Sequence, residues 1–322
     1  MSVAHRFIET NGIRMHVAEA GSGAPVLLCH GFPEFWYSWR HQLDALAKEG
    51  FRAIAPDMRG YGQTDRPEAI DQYTLFHLTG DMIGLLDALN IEKAAVIGHD
   101  WGAPVAWHCA LFRPDRFPAL ATLSVPFRPR APARPTSLMP KSDDAQFYQL
   151  YFQKPGEAEA EFEANVERTL RLMLFYSSGD APAPSNSGPA GMVPIGRPWL
   201  ADVPPPQKLP GWLSETDVQF YAGEFKRTGF RGGLNWYRNI DRNWELMAAW
   251  RDAKLQVPTL YIVGDRDLVY RFQGMDTLIA SLKNYVPKLD KTVLLKGCGH
   301  WTQQEQADEV NREIIRFLKS LS

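Results

Sequence analysis

The chain has 322 residues, 45% hydrophobic and 22% charged, which excludes a disordered or fibrous protein and leaves room for one large domain or a domain carrying an insertion. Its 35 basic and 37 acidic side chains give a formal charge of −2 with no basic stripe, which excludes a nucleic-acid partner. No apolar run approaches the ~20 residues of a membrane span, and residues 1–19 lack the basic start and apolar stretch of a secretory leader, so a soluble, cytoplasmic protein is expected.

In chain order, Asn11-Gly12 separates two strand-like runs, 7–10 and 13–19, and suits the positive backbone angles of a tight hairpin turn. Short apolar runs at 26–29, 53–55, 94–97 and 120–125 are bounded by turn residues and read as buried parallel strands. Between them, 36–49, 75–89 and 102–112 have helical length and a recurring apolar face. Strand and helix alternate, which predicts an α/β domain whose helices cover a mostly parallel sheet.

From about 126 to 251 the alternation stops. Pro126, Pro129, Pro132 and Pro135 open this stretch, and helices are then expected at 145–153, 158–178, 214–228 and 234–249 with no strands between them. The segment 181–211, crowded with Pro, Gly and Ser, reads as a long functional loop. An inserted helical cap accounts for the whole stretch. Strands at 259–263 and 292–295 and a closing helix at 307–318 resume the α/β pattern. The expected division is core at 1–128, cap at 129–251 and core again at 252–322.

The apolar run at 94–97 enters Gly98-His99-Asp100-Trp101-Gly102 and then a helix, the strand, sharp turn and helix of a nucleophile elbow. Glycines on either side let the crowded turn expose Asp100, although an Asp capping the next helix would give the same five residues. Where such elbows usually carry serine, a carboxylate is already ionised at neutral pH and can displace at an sp³ carbon without first losing a proton. That chemistry suits an epoxide or an alkyl halide.

The partners of such a nucleophile follow it in chain order at later strand ends. The strand at 259–263 leads into Gly264-Asp265-Arg266-Asp267, and that at 292–295 into Gly297-Cys298-Gly299-His300-Trp301. His300 is the expected general base, since imidazole titrates near neutrality. Both carboxylates are eligible to orient it, with Asp267 preferred and Asp265 assigned to the turn. The run at 26–29 leads into His30-Gly31-Phe32-Pro33, where the Phe32 amide, with that of Trp101, can form an oxyanion hole or simply belong to a Gly-Pro turn. His30 and His99 read as structural. Cys29, Cys109 and Cys298 are odd in number and widely spaced, giving neither a disulfide framework nor a metal-ligand pattern.

With these residues in view, His30-Gly31-Phe32-Pro33-Glu34, Gly98-His99-Asp100-Trp101-Gly102 and Gly299-His300-Trp301 closely resemble the motifs of soluble epoxide hydrolases, over nearly the whole chain. Residues 148–153 and 234–239 look like that family's two cap motifs, each carrying a ring-opening tyrosine, here Tyr148 and Tyr237. The resemblance implies an α/β-hydrolase fold with a cap over Asp100, a cis Phe32-Pro33 peptide and Asp267 as third triad member. Phe32, Trp101, Tyr148, Tyr237 and Trp301 would line the pocket for a small hydrophobic epoxide and water, with no metal or organic cofactor. A homodimer is compatible with the resemblance, and no sequence signal selects the oligomeric state.

A phenol, with a pKa of about 10, stays protonated to donate to the alkoxide that ring opening creates. For Tyr151, Trp236 and Trp244 packing is the expected role. The rival chemistry is a haloalkane dehalogenase, which shares the Asp nucleophile and His base. The paired tyrosines and Gly31 count against it, and Trp101 stands where fluoroacetate dehalogenases carry Arg. A silent binding protein on the same scaffold is the reading from outside enzymology.

Overall fold

A computed structural model describes residues 2–182 and 189–321. Strands β1 (Ala4–Thr10) and β2 (Ile13–Ala20) form the expected hairpin, with Asn11 at φ 44° and Gly12 at φ 76°, the two positive angles of a primed turn. The parallel strands are β3 (Ala24–Cys29), β4 (Phe51–Pro56), β5 (Ala95–His99) and β6 (Leu120–Leu123), joined by helices α1 (Arg40–Lys48), α2 (Leu75–Ala88) and α3 (Gly102–Phe112). The run read as one helix from residue 36 begins as a tighter 3₁₀ turn, Trp36–Trp39, before α1.

Next come α4 (Pro135–Leu138), β7 (Ala145–Phe147), α5 (Tyr148–Tyr151), α6 (Glu157–Ala164), α7 (Val166–Tyr176), β8 (Met192–Pro194), α8 (Glu215–Thr228), α9 (Arg231–Arg238) and α10 (Ile240–Leu246). The chain closes with β9 (Thr259–Gly264), α11 (Met275–Ala280), β10 (Leu289–Leu295), α12 (Thr302–Glu305) and α13 (Ala307–Lys319). Among the described residues no helix is long and apolar enough to cross a membrane.

Strand order in the eight-stranded sheet is β1-β2-β4-β3-β5-β6-β9-β10, antiparallel at β1/β2 and β2/β4 and parallel elsewhere. Consecutive residues of a strand face opposite ways, so Leu27 joins the apolar layer with α2 and α3 while Leu28 joins the layer with α1 and α13. The chain builds first toward β4 and then crosses to β5. The carboxyl ends of β3 and β5 therefore meet at a reversal in strand order, Cys29 beside Gly98, the crevice where open α/β sheets bind ligands.

Between β6 and β9 three sequence expectations need correction. Residues 145–153 do not form one helix: 145–147 are β7, paired antiparallel with β8 from inside the Pro/Gly-rich segment, so strands are present in this region. A three-residue ribbon is too short to display a period of two, and the apolar residues of 145–153 mimic a helix face. The helix expected over 158–178 breaks at Asn165, which leaves helical geometry and caps α7 by accepting from the Arg168 amide. Asn239 similarly divides 234–249 into α9 and α10, with a 3₁₀ turn after them. Of the loop at 181–211, residues 183–188 lie outside the described residues.

Helix α9 is drawn against the sheet domain by backbone proximity. A Cβ on Gly232 would stand 2.2 Å from the Gly60 carbonyl oxygen, and the Trp236 indole N–H donates to the Arg59 carbonyl at 3.0 Å. Gly232→Ala must push α9 away and is expected to lower unfolding free energy by about 1–3 kcal/mol. Gly223→Ala, on an exposed face of α8 where a Cβ meets nothing within 4 Å, is expected to raise it by up to about 1 kcal/mol. Urea unfolding of the two variants checks both signs.

Candidate active site

The elbow after β5 is set by sterics. A Cβ on Gly98 would meet the Gly102 carbonyl oxygen at 2.1 Å, and one on Gly102 would meet the Cys29 carbonyl oxygen at 2.0 Å. Between them Asp100 is held at φ 49°, a left-handed angle that costs a non-glycine residue energy and is kept where the surroundings over-determine it. The turn lifts the Asp100 carboxylate into the crevice between β3 and β5.

The two oxygens of that carboxylate have different neighbours. The Phe32 amide donates to Oδ1 at 2.8 Å, while Oδ2 lies 3.6 Å from His300 Nε2. A Cβ on Gly31 would come within 2.3 Å of Oδ1 and 2.7 Å of the Trp101 nitrogen, so the Phe32 and Trp101 amides border the same small space and Gly31 must lack a side chain. The Phe32-Pro33 peptide is cis.

His300 Nδ1 lies 3.1 Å from Asp267 Oδ1 and 3.1 Å from Ser124 Oγ. Asp267 is fully buried; its Oδ1 also accepts the Val269 amide, and Oδ2 has no hydrogen-bond partner among the described residues. Asp265 instead accepts the Gly297 amide at 2.8 Å and braces the turn. Geometry thus separates two carboxylates that the sequence left eligible.

Burial opposes charge on both His300 and Asp100, and in each case it is outweighed. The carboxylates of Asp267 and Asp100 hold His300 well above its ordinary pKa, so the imidazole is protonated at neutral pH. In turn, His300 and the Phe32 amide hold Asp100 below the usual carboxylate range. The resting site is an ion pair inside protein, with Asp267 behind it.

Tyr148 starts α5 and Tyr237 lies near the end of α9, their ring centroids 6.0 Å apart. Tyr237 packs at 5.2 Å on Trp101 and 5.5 Å on Phe32. Burial, followed by the charge of Asp100, pushes both phenols above their ordinary pKa and keeps them protonated. The Tyr148 phenol oxygen already accepts a bond from Gln149 Nε2 at 3.0 Å, which leaves its O–H to donate. Trp301 packs edge-on against His300 at 4.7 Å and commits its indole N–H to the Leu174 carbonyl, leaving only its ring for a ligand.

His30 and His99 are scaffold, as expected. His30 bridges the Gly31 carbonyl and the Met58 amide, and His99 bridges Glu34 and the His300 carbonyl. Three contributors escaped the sequence reading. Glu34, fully buried, accepts from Gln303 and Gln304 and faces His99, joining the loops after β3, β5 and β10. Ser124 follows a strand of four residues and carries no motif. Glu305 accepts the amides of Gly299 and Trp301 on either side of His300, and that of Gly179 beyond α7, at 2.7–2.9 Å. Ser124 has no local signal, Glu34 stands in the motif at 30–34 without a role assigned to it, and the bonds of Glu305 to the nearby Gly299 and Trp301 depend on how the turn around His300 folds.

Comparison with known proteins agrees with this geometry. The model of the alpha/beta hydrolase fold family matches residues 24–307. The chain is 48% identical to epoxide hydrolase 3 of Siraitia grosvenorii, over 98% of each chain. It is 45% identical to epoxide hydrolase A of Mycobacterium tuberculosis, over 98% of this chain and 97% of that one. A solved epoxide hydrolase from an endophytic Streptomyces superposes with a TM-score of 0.95 at 44% identity, covering 99% of this chain and 96% of that one.

Since Asp100 contributes both a hydrogen bond and a charge to the elevated pKa of His300, Asp100→Ala is expected to lower that pKa. Titration of the imidazole by NMR in the two proteins measures the shift, and an unchanged value would refute the coupling.

Proposed function

The chain belongs to the α/β-hydrolase family, among the epoxide hydrolases, and we propose that it opens an epoxide on the carboxylate of Asp100 and frees the vicinal diol by hydrolysis driven from His300. The single observation that carries this mechanism is the division of labour at Asp100. With Oδ1 tied to the Phe32 amide at 2.8 Å, Oδ2, at the longer distance of 3.6 Å from His300 Nε2, is the oxygen placed to attack.

In the first half-reaction Oδ2 bonds to an epoxide carbon, the C–O bond breaks and its electrons pass to the ring oxygen. Tyr148 and Tyr237 donate to that oxygen, and a proton from His300 makes good the one they supply. Esterification removes the negative charge of Asp100, and with it part of what held the proton on His300. The ring opening therefore prepares the base that the second half needs.

In the second half, neutral His300, held by Asp267, takes a proton from water as the oxygen adds to the ester carbon of Asp100. The Phe32 and Trp101 amides receive the oxyanion at Oδ1. Collapse releases the diol and returns both the carboxylate and the imidazolium. Every proton in the cycle is accounted for without metal or organic cofactor.

Haloalkane dehalogenation is not favoured: the two protonated phenols suit an oxygen that must be protonated as it leaves, which a halide does not require. The aromatic walls favour hydrophobic epoxides. The core and cap divide at 129 and 251, with the cap closing over Asp100. A cytoplasmic location accords with three free, buried cysteines.

In a single turnover in heavy-oxygen water, the first diol is expected to carry oxygen from Asp100 and no solvent label; label in that diol rejects the ester. His300→Gln should accumulate the ester, visible by mass spectrometry. Replacing both Tyr148 and Tyr237 with Phe is expected to slow ester formation by ~10²–10⁴-fold in rapid-mixing measurements, with each single change smaller; an unchanged rate removes their role as acids.

A further inference from the structure

Ser124 follows β6 in a conformation that residues with a side chain avoid. Its φ is 68°, and the Val125 amide donates to the Leu123 carbonyl at 2.8 Å, which closes a three-residue turn of the rare, strained hand about Ser124. The Ser124 amide donates to the Ile262 carbonyl and the Tyr261 phenol to the Ser124 carbonyl, each at 2.9 Å, so the turn is held from β9. Glycine would adopt this angle without strain. A serine kept there, fully buried, calls for a reason in its side chain.

Among the described residues that side chain makes one hydrogen bond, to His300 Nδ1 at 3.1 Å. Asp267 Oδ1 lies at the same 3.1 Å from the same nitrogen. In the imidazolium Nδ1–H can only donate, so both oxygens accept from it. A single acceptor would leave the ring free to rock. Two acceptors, carried on the ends of β6 and β9, fix where Nε2 points on the far side of the ring.

The need for that second acceptor changes during the reaction. Before ring opening Nε2 is also held from in front, by the charge of Asp100, whose Oδ2 lies 3.6 Å away. Esterification removes that charge. Trp301 and His99 still pack on the ring, but neither takes its proton, and the neutral imidazole keeps that proton on Nδ1 through Asp267 and Ser124. Only with the proton there is Nε2 a base.

Resting on the epoxide-hydrolase reading above, we propose that Ser124 is a positioning residue for the second half-reaction. Its hydroxyl shares the Nδ1 proton with Asp267 and holds Nε2 toward the water that hydrolyses the ester.

Two variants separate the hydroxyl from the strain. Ser124→Ala removes the hydroxyl and leaves a side chain at the positive angle, whereas Ser124→Gly removes the hydroxyl and relieves the angle, so the glycine variant is expected to melt at the higher temperature. Single turnovers of styrene oxide and of a long-chain terminal epoxide, followed by rapid quench and mass spectrometry, resolve ester formation from ester decay. Their rate constants do not depend on the folded fraction. Both variants are expected to hydrolyse the ester about tenfold more slowly and to form it within about twofold of the native rate. The Nδ1–H proton resonance of His300 should move in both.

Native-like decay in both variants, or an unmoved resonance, overturns the role. So does slow decay in Ser124→Ala that Ser124→Gly restores, which assigns the effect to backbone strain, or equal slowing of formation and decay, which assigns it to general disorder of the site. A native protein that forms neither ester nor diol instead overturns the hydrolase reading beneath it.

Discussion

The site depends on keeping one carboxylate ionised inside protein. Burial penalises charge on Asp100, and a lone buried carboxylate would answer by taking up a proton, which would end the nucleophilic role proposed for it. The imidazolium of His300 and the Phe32 amide prevent this, each on its own oxygen. That arrangement requires the reversal in strand order between β3 and β5, since the amide comes from one strand end and the carboxylate from the other. It also requires Gly31, because any side chain there would occupy the position of Oδ1.

The histidine reaches the crevice from a third strand end, and its position is secured mostly by backbone. Its amide donates to the Ser177 carbonyl, and Glu305 gathers the amides on either side of it together with that of Gly179. The close approach of Gly299 to Gly179 has the same effect as the contact of Gly232 with Gly60: backbone from the stretch between β6 and β9 meets backbone of the loops at the sheet without intervening side chains. The two layers are thereby registered at two separated points, which sets the phenols of α5 and α9 beside the turn that follows β5.

Local chemistry in the sequence was sufficient for the sheet, the hairpin and the elbow. Asn11-Gly12, the apolar runs and the glycines around Asp100 each act over a few residues. The choice between Asp265 and Asp267 was not local, since both follow the same strand, and only the path of the chain from β10 shows which one His300 meets. Ser124 had no pattern to betray it, because its partner His300 is 176 residues away; Glu34 stood in a quoted motif without a role, since His99, Gln303 and Gln304 come from distant segments, and Glu305 bonds amides close by in the chain that only the folded turn around His300 turns toward it. The β7-β8 ribbon failed for the opposite reason: residues 145–153 carry a helix-like apolar pattern, and the competing strand partner comes from a segment dominated by turn residues.

On the proposed mechanism, the bond that Gln149 donates to the Tyr148 phenol oxygen bears on how the enzyme lets go. An epoxide oxygen can only accept, so it suits an O–H whose own oxygen is already served. A diol brings hydroxyl protons of its own, and the Tyr148 oxygen that could have received one is occupied. Polarity at this spot would therefore welcome the reactant more than the product, and turnover would be spared a strongly retained end state.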